Sequence, residues 1–247
     1  MKLHNCHHIN ARSTLHLAAQ QGHVKLTRHL LNHDFNKDIP IDLNRYTPLH
    51  SAALNGHLVV FKTIFTHYAK QNPNIRTPQV IQWLMPKGLD GQSVLHAAAH
   101  NGHLNICKFI LESCLDKNSP DVKGITPLHV ASQMGHLEVC KLIFENINIK
   151  SPKKFGDCWT PLHLAAKFGH LDICKFFLEN LKDKNPKSSD ASTPLHIAAK
   201  NGQLEVCTLF MKYIEDPNPM NNDGKTPFQV AAENNQKSVI LYLLGFQ

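Results

Sequence analysis

The sequence predicts a mainly α-helical solenoid of seven stacked repeats, and three recurring features support this fold class. A tetrapeptide of the form Thr-Pro-Leu-His returns along the chain. An Ala-Ala pair follows five residues after its first residue in six of the seven copies, and a glycine follows nine residues after it, again in six. The copies begin at Ser13, Thr47, Ser93, Thr126, Thr160, Thr193 and Thr226, at intervals of 34, 46, 33, 34, 33 and 33 residues. Several features therefore keep one register, which predicts a repeat architecture before any single motif is interpreted.

Each copy carries the signals of two helices. In the fourth copy Thr126 can cap the first helix, and Pro127 suits the first helical position because no hydrogen bond is lost there. Gly135 suits the left-handed residue that ends this helix. The second helix follows from Leu137, and its apolar residues cover more than half of its circumference. One such unit cannot bury its apolar faces alone, so the repeats must stack to form a core.

The combination of Thr-Pro-Leu-His, Ala-Ala and Gly-His at a period of 33 residues resembles the ankyrin repeat over nearly the whole chain. The resemblance implies a β-turn hairpin, an inner helix and an outer helix in every repeat, which together form an ankyrin-repeat solenoid. It also implies the recognition of a protein partner. We expect residues 1–247 to form a single ankyrin-repeat domain.

Two copies depart from the pattern. The interval between Thr47 and Ser93 is about thirteen residues longer than a repeat, which predicts an insertion at about 71–87. Trp83 in this insertion either packs on the stack or is offered to a partner. In the last copy Asn235 replaces the glycine, and asparagine tolerates the left-handed conformation.

Composition narrows the cellular setting. No stretch approaches the roughly 18 consecutive apolar residues that a membrane span needs, so no membrane insertion is expected. The start of the chain is polar, and the seven cysteines are an odd number, which favours a reduced, cytoplasmic or nuclear setting. The net charge of +7 permits acidic partners. We expect a monomer.

The histidines and cysteines of the repeat are predicted to be structural. Eleven of the 18 histidines belong to the Thr-Pro-Leu-His and Gly-His units, and equivalent residues of stacked repeats lie roughly 10 Å apart, too far to share a metal ion. Four cysteines occupy an outer-helix position where small buried hydrophobes are expected: Cys107, Cys140, Cys174 and Cys207. No catalytic residue, metal site or cofactor is predicted, and the chain is not expected to be an enzyme.

The resemblance places the variable, partner-binding positions one residue before each repeat start and seven and eight residues after it. We call these the recognition positions. The candidates among them are Tyr46, Leu54, His100, Ile125, Met134, Trp159, Lys167, Phe168 and Lys200. Ile125, Met134, Trp159 and Phe168 come from adjacent repeats and predict an apolar binding patch surrounded by lysines. The alternative interpretation is that Trp159 folds back onto its own hairpin.

These positions favour a non-catalytic adaptor that binds a partner protein or peptide on the concave face, through an apolar segment with acidic flanks. A second hypothesis is nucleic-acid or nucleotide binding through basic and aromatic hairpin positions. Nucleic acid is the less expected partner, because the lysines are spread over many hairpins rather than along one groove. A third hypothesis is that the chain is the recognition fragment of a larger channel or scaffold protein.

Overall fold

The computed structural model describes residues 12–33, 38–71, 86–114 and 116–246. The chain divides into two compact units, unit 1 at Met1–Val122 and unit 2 at Lys123–Gln247. The predicted insertion at about 71–87 lies almost entirely outside the described residues. The single-domain organisation and the count of seven repeats stay predictions.

Unit 1 contains alternating inner and outer helices. They are α1 (Thr14–Gln20), α2 (Val24–Asn32), α3 (Pro48–Leu54), α4 (Leu58–Gln71), α5 (Val94–His100) and α6 (Leu104–Ser113). The inner helices α1, α3 and α5 pack against one another in that order, and each outer helix packs on the inner helix before it. The paired alanines of each inner helix are buried at these contacts, where their small side chains let neighbouring helices approach closely.

Unit 2 repeats the same arrangement. Its helices are α7 (Pro127–Met134), α8 (Leu137–Asn146), α9 (Pro161–Phe168), α10 (Leu171–Asn180), α11 (Pro194–Lys200), α12 (Leu204–Tyr213), α13 (Pro227–Glu233) and α14 (Lys237–Leu243), followed by a 3₁₀ turn at Leu244–Phe246. The inner helices α7, α9, α11 and α13 pack side by side, with the outer helices behind them. This confirms a mainly α, ankyrin-type solenoid of stacked helix pairs.

The hairpins before the inner helices are tight turns, and the described ranges contain no β-strand. One main-chain bond joins each hairpin of unit 2 to the next: Phe155 N–H donates to the Lys123 carbonyl at 2.9 Å, and Ser189 N–H donates to the Asp157 carbonyl at 2.8 Å. These bonds hold successive hairpins in register, so the residues that precede the inner helices are presented in a row.

A histidine of the tetrapeptide can hold both the start of its own inner helix and the hairpin of the next repeat, as His129 does. Thr126 N–H donates to Nδ1 of His129 at 3.2 Å, so Nδ1 is an acceptor and the neutral ring carries its proton on Nε2. Nε2–H then donates to the Trp159 carbonyl of the following hairpin at 3.0 Å. One buried ring therefore caps its own helix and holds the next layer, which confirms the structural role predicted for this histidine set.

The cysteines of the outer helices are also structural. Cys107, Cys140, Cys174 and Cys207 are all buried. Burial raises the pKa of the Cys140 thiol to about 12, with the Ser132 hydroxyl opposing the rise. These thiols are therefore protonated at neutral pH and act as small apolar groups.

Candidate functional site

The nine predicted recognition residues are half-buried or exposed, and none belongs to the core. Ile125, Met134, Trp159, Lys167, Phe168 and Lys200 lie in unit 2, whereas Tyr46, Leu54 and His100 lie in unit 1. In unit 2, Met134, Phe168 and Lys200 are the last residues of α7, α9 and α11, three inner helices that pack in succession. The helix ends of neighbouring layers therefore present these side chains next to one another.

The main chain of Trp159 is held on both sides. Its N–H donates to Oδ1 of Asp157 at 3.1 Å. Its carbonyl accepts from Lys154 N–H at 2.9 Å and from Nε2–H of His129 at 3.0 Å. The indole is half-buried and stacks on the imidazole of His163, with ring centroids 6.0 Å apart and planes 21° apart. The ring position is therefore fixed by the hairpin and by the first turn of α9.

Two lysines surround the same ring. Nζ of Lys154 lies 5.4 Å from the Trp159 ring centroid and 2.8 Å from Oδ2 of Asp157. Nζ of Lys167 lies 5.6 Å from the Trp159 centroid and 5.3 Å from that of Phe168, which is 44% exposed. Trp159, Phe168, Lys154 and Lys167 are called the Trp159 cluster below. A cation within about 6 Å of an aromatic ring is attracted to its face, so Lys167 joins the two rings.

The sequence predicted that Trp159 and Phe168 would be close, but not that a lysine would bridge them. The other two residues of the predicted patch, Ile125 and Met134, are accessible to different degrees. Ile125 is half-buried and Met134 is 38% exposed. The surface is consequently a mixed aromatic and cationic one rather than a continuous apolar patch.

In unit 1 the three predicted residues Tyr46, Leu54 and His100 line one cavity of about 160 Å³. Tyr46 donates its phenolic hydrogen to Oδ2 of Asp90 at 2.5 Å, and burial, followed by this bond, raises the pKa of the phenol. The ring is therefore neutral and fixed at the cavity wall. The variable positions thus meet in unit 1 as well, around a cavity that the sequence analysis did not foresee.

The buried histidines near these surfaces do not titrate at neutral pH. Burial lowers the pKa of His163 to about 4, although its bond to the Ser192 carbonyl opposes the fall. In the described ranges no group of three or more His, Cys, Asp or Glu side chains is placed to hold a metal ion. None of the helices that the structure describes combines the length and apolar character needed to cross a membrane.

Comparison with known proteins agrees with this architecture. A family model described as ankyrin repeats matches residues 1–77, 67–154, 146–221 and 162–247. No curated protein sequence matches the chain. Ankyrin repeats are general protein–protein interaction modules, and the matches together span the chain. With its stacked helix pairs and its Thr-Pro-Leu-His caps, the chain belongs to the ankyrin-repeat family.

Proposed function

We propose that the chain is a non-catalytic adaptor that binds a partner protein through the recognition positions on its concave face, with the Trp159 cluster as the main contact. The partner segment carries a large apolar side chain flanked by acidic residues. The observation that carries this proposal is the bridging position of Lys167 between Trp159 and the exposed Phe168.

Tryptophan is, with tyrosine and arginine, among the side chains that most often dominate binding energy at protein interfaces. The indole of Trp159 is already fixed by His163 and by its own hairpin. The Trp159 ring therefore loses little conformational freedom when a partner binds, which favours affinity.

Charge supports the acidic flanks. Lys167 and Lys200 occupy the same position in successive repeats, and neither forms an ion pair within the described chain. Lys225 and Glu233, by contrast, neutralise each other at 2.8 Å at the last recognition positions of unit 2. The two unpaired ammonium groups complement carboxylates on either side of an apolar anchor.

Selection from a random peptide library tests this proposal. We expect the selected peptides to be rich in Asp and Glu around one aromatic or aliphatic residue. Trp159→Ala and Phe168→Ala should each weaken their binding by about 2–4 kcal/mol, whereas Ile149→Ala, which removes an exposed apolar side chain outside the recognition positions, should leave it unchanged. Peptides that are basic, or that bind the Trp159→Ala chain as well as the wild type, would refute the proposal.

Binding of single-stranded nucleic acid is the second candidate, because bases stack on aromatic side chains beside lysines. The surroundings of Trp159 weigh against it, since Lys154, Lys167 and His163 already pack around the indole. Oligonucleotide binding that falls steeply with salt and disappears in Trp159→Ala would favour it over the adaptor. The cytoplasmic or nuclear setting and the monomeric state stay predictions.

A further inference from the structure

One Ser-Pro pair in unit 2 differs from every other pair of its kind in the chain. Eight serine or threonine residues are followed directly by proline: Thr47, Thr77, Ser119, Thr126, Ser151, Thr160, Thr193 and Thr226. Three residues further on stands a histidine, valine or glutamine in seven of them, and a lysine, Lys154, only after Ser151. Lys150 and Lys153 lie in the same short stretch, so three lysines surround this serine in the sequence.

The hydroxyl of Ser151 is free, whereas those of the helix-capping threonines are not. The threonines that precede the inner helices are at most 8% exposed, and Oγ1 of Thr160, for example, lies 2.9 Å from Nδ1 of His163. Ser151 is half-buried. Its Oγ has no hydrogen-bond partner among the described residues and is accessible to solvent. Ser151 can therefore present its hydroxyl to an enzyme without breaking a bond of the fold.

The main chain around Ser151 is only loosely held. The residue lies in the irregular segment between α8, which ends at Asn146, and the tight turn at 155–157. Among the main-chain hydrogen bonds of the described chain, none uses an N–H group of residues 148–153. A residue before proline favours the extended conformation, which is the conformation in which protein kinases bind their substrates. Little local unfolding is thus required for this segment to enter such an active site.

The lysines beside Ser151 connect it to the Trp159 cluster. Nζ of Lys154 lies 2.8 Å from Oδ2 of Asp157 and 5.4 Å from the Trp159 ring centroid. Lys153 is exposed. Three residues of extended chain span about 10 Å, which a lysine side chain and a phosphoseryl group can bridge together. A phosphate on Ser151 would carry a charge of about −1.5 to −2 and three strong acceptor oxygens, so it would compete with Asp157 for Lys154.

We propose that Ser151 is phosphorylated by a proline-directed protein kinase, and that the phosphate weakens the binding of an acidic partner segment to the Trp159 cluster. Pro152 has no N–H group that the kinase must satisfy, and Lys154 suits an acidic pocket of the kinase. The Ser151 oxygen attacks the γ-phosphorus of magnesium-bound ATP, the bond to the bridging oxygen breaks, ADP leaves, and the hydroxyl proton passes to a base of the kinase. The effect on binding rests on the proposed function, whereas the phosphorylation does not.

The effect on binding follows from charge. The proposed partner carries carboxylates, which the lysines of the cluster attract. A phosphate on Ser151 offsets about two positive charges there and draws Lys154 away from the indole. Lys167 and Phe168 stay in place, so the apolar contact is kept and the loss is electrostatic. Salt should therefore reduce the difference between the phosphorylated and unphosphorylated chains.

Phosphorylation of the full, folded chain tests the site without any partner. The chain would be incubated with magnesium-bound ATP and a cyclin-dependent kinase, a class that selects serine followed by proline and by a lysine at the third position. We expect mass spectrometry to place the phosphate on Ser151, and Ser151→Ala to abolish it. Ser119→Ala is the matched control, because Ser119 is also half-buried and precedes a proline but has Val122 at the third position. It should leave the rate unchanged.

A second pair of variants separates the motif from overall charge. Lys154→Gln should slow phosphorylation about tenfold, which corresponds to the loss of one charge-assisted contact in the transition state. Lys153→Gln removes the same charge one residue earlier and should change the rate by no more than about twofold.

The phosphorylated chain then tests the effect on the cluster. The indole N–H signal of Trp159 in NMR spectra, assigned with Trp159→Phe, should shift as Lys154 leaves the ring. A peptide with one phenylalanine between pairs of glutamates should bind the phosphorylated chain about five- to tenfold more weakly at low salt, and almost equally at high salt.

Phosphate found only on other residues, or equal rates for Lys154→Gln and Lys153→Gln, would overturn the site. An unchanged indole signal together with unchanged peptide affinity would overturn its effect on the cluster. A chain that is phosphorylated on Ser151 and shifts the indole signal, but binds no acidic peptide in either form, would refute the proposed function and leave the phosphorylation site standing.

Discussion

The imidazole of His170 covers Gly135 of the preceding layer. A Cβ atom on Gly135 would lie 2.7 Å from Cε1 of that ring. Nε2 of the same ring lies 2.9 Å from the carbonyl oxygen of Gln133. The glycine is left-handed, with φ of 82°, so it ends α7 and makes room for the His170 ring, which joins the next repeat to α7. The Gly-His unit of the repeat is thus a contact between layers rather than within one.

This contact predicts that Gly135→Ala strongly destabilises the protein. A non-glycine residue in the left-handed region costs about 1–2 kcal/mol, and the displacement of His170 with the loss of its hydrogen bond adds about 1 kcal/mol or more. We expect the free energy of unfolding to fall by about 2–4 kcal/mol, measured by urea denaturation.

Gly156→Ala is the matched control. Gly156 has a similar φ of 84°, but a Cβ there would meet nothing within 4 Å. Only the backbone cost should remain, about 1–2 kcal/mol. If both variants lost the same stability, the packing of His170 on Gly135 would contribute nothing.

The repeat glycines show where sequence reasoning reaches its limit. The left-handed conformation of Gly135, and of Asn235 in the last repeat, follows from the position at a helix end, and the structure confirms both. The ring above Gly135 belongs to a residue 35 positions later. Its contact depends on how two layers pack, which the local pattern does not contain.

Acid should weaken the fold through the buried histidines. The unfolded-state pKa of histidine is near 6.5, and burial lowers that of folded His163 to about 4. Between these values the unfolded chain binds a proton that the folded chain does not, so stability is present above pH 6.5 and is lost as pH falls towards 4. For this one ring we expect a loss of about 2 kcal/mol between pH 7 and pH 4.5.

His163→Gln isolates this contribution. Glutamine already stands at the equivalent position of the last repeat, where Oε1 of Gln229 accepts from Thr226 N–H at 2.8 Å. The variant should keep the helix cap, lose about 1 kcal/mol at pH 7 with the bond to Ser192, and lose about 2 kcal/mol less than the wild type between pH 7 and 4.5. An unchanged pH dependence of the free energy of unfolding would show that His163 is not the titrating group.

The unpaired lysines predict how association with an acidic peptide responds to salt. Lys200→Gln removes a cation from the last turn of α11 without touching Trp159 or Phe168. A charge at the edge of an interface acts mainly on the association rate. We expect Lys200→Gln to slow association about two- to fivefold at low salt and to reduce its salt dependence, as measured by stopped-flow or surface plasmon resonance.

The control for net charge is Lys212→Gln on the outer helix α12. It removes the same charge from a face that the recognition positions do not share. Its association rate should stay close to that of the wild type. An equal effect of both substitutions would assign the attraction to overall charge rather than to the recognition positions.

The two recognition surfaces differ in how far the sequence predicted them. The solvent-facing positions of Trp159, Phe168 and Lys167 follow from the repeat register. The placement of Lys167 over both rings does not, because it depends on the rotamer of a long side chain. The small residues Ser51 and Ala97, which line the cavity of unit 1, could have indicated it, because the larger Leu164 and Ile197 stand at the same position of other repeats.

The hairpins contain a strained position that glycine should relieve. From the second repeat onward the residue two before the repeat start is left-handed, and it is glycine at Gly91, Gly124 and Gly224 but Ala191 in the sixth repeat, with φ of 58°. Because a left-handed alanine costs about 1–2 kcal/mol and glycine loses roughly 0.5–1 kcal/mol more backbone entropy on folding, Ala191→Gly should raise the free energy of unfolding by about 0.5–1 kcal/mol. Urea denaturation at neutral pH measures the change.

The same change from alanine to glycine inside a helix should lower the free energy of unfolding instead. Ala198 is fully buried in α11, and Ala198→Gly should lower the free energy of unfolding by at least about 1 kcal/mol, because glycine is a poor helix former and leaves a gap in the layer contact.

Cys158 occupies the same left-handed hairpin position as Ala191, with φ of 58°, so Cys158→Gly should also stabilise the protein. If Ala191→Gly and Cys158→Gly both lowered stability, side-chain contacts at this position would outweigh the backbone strain.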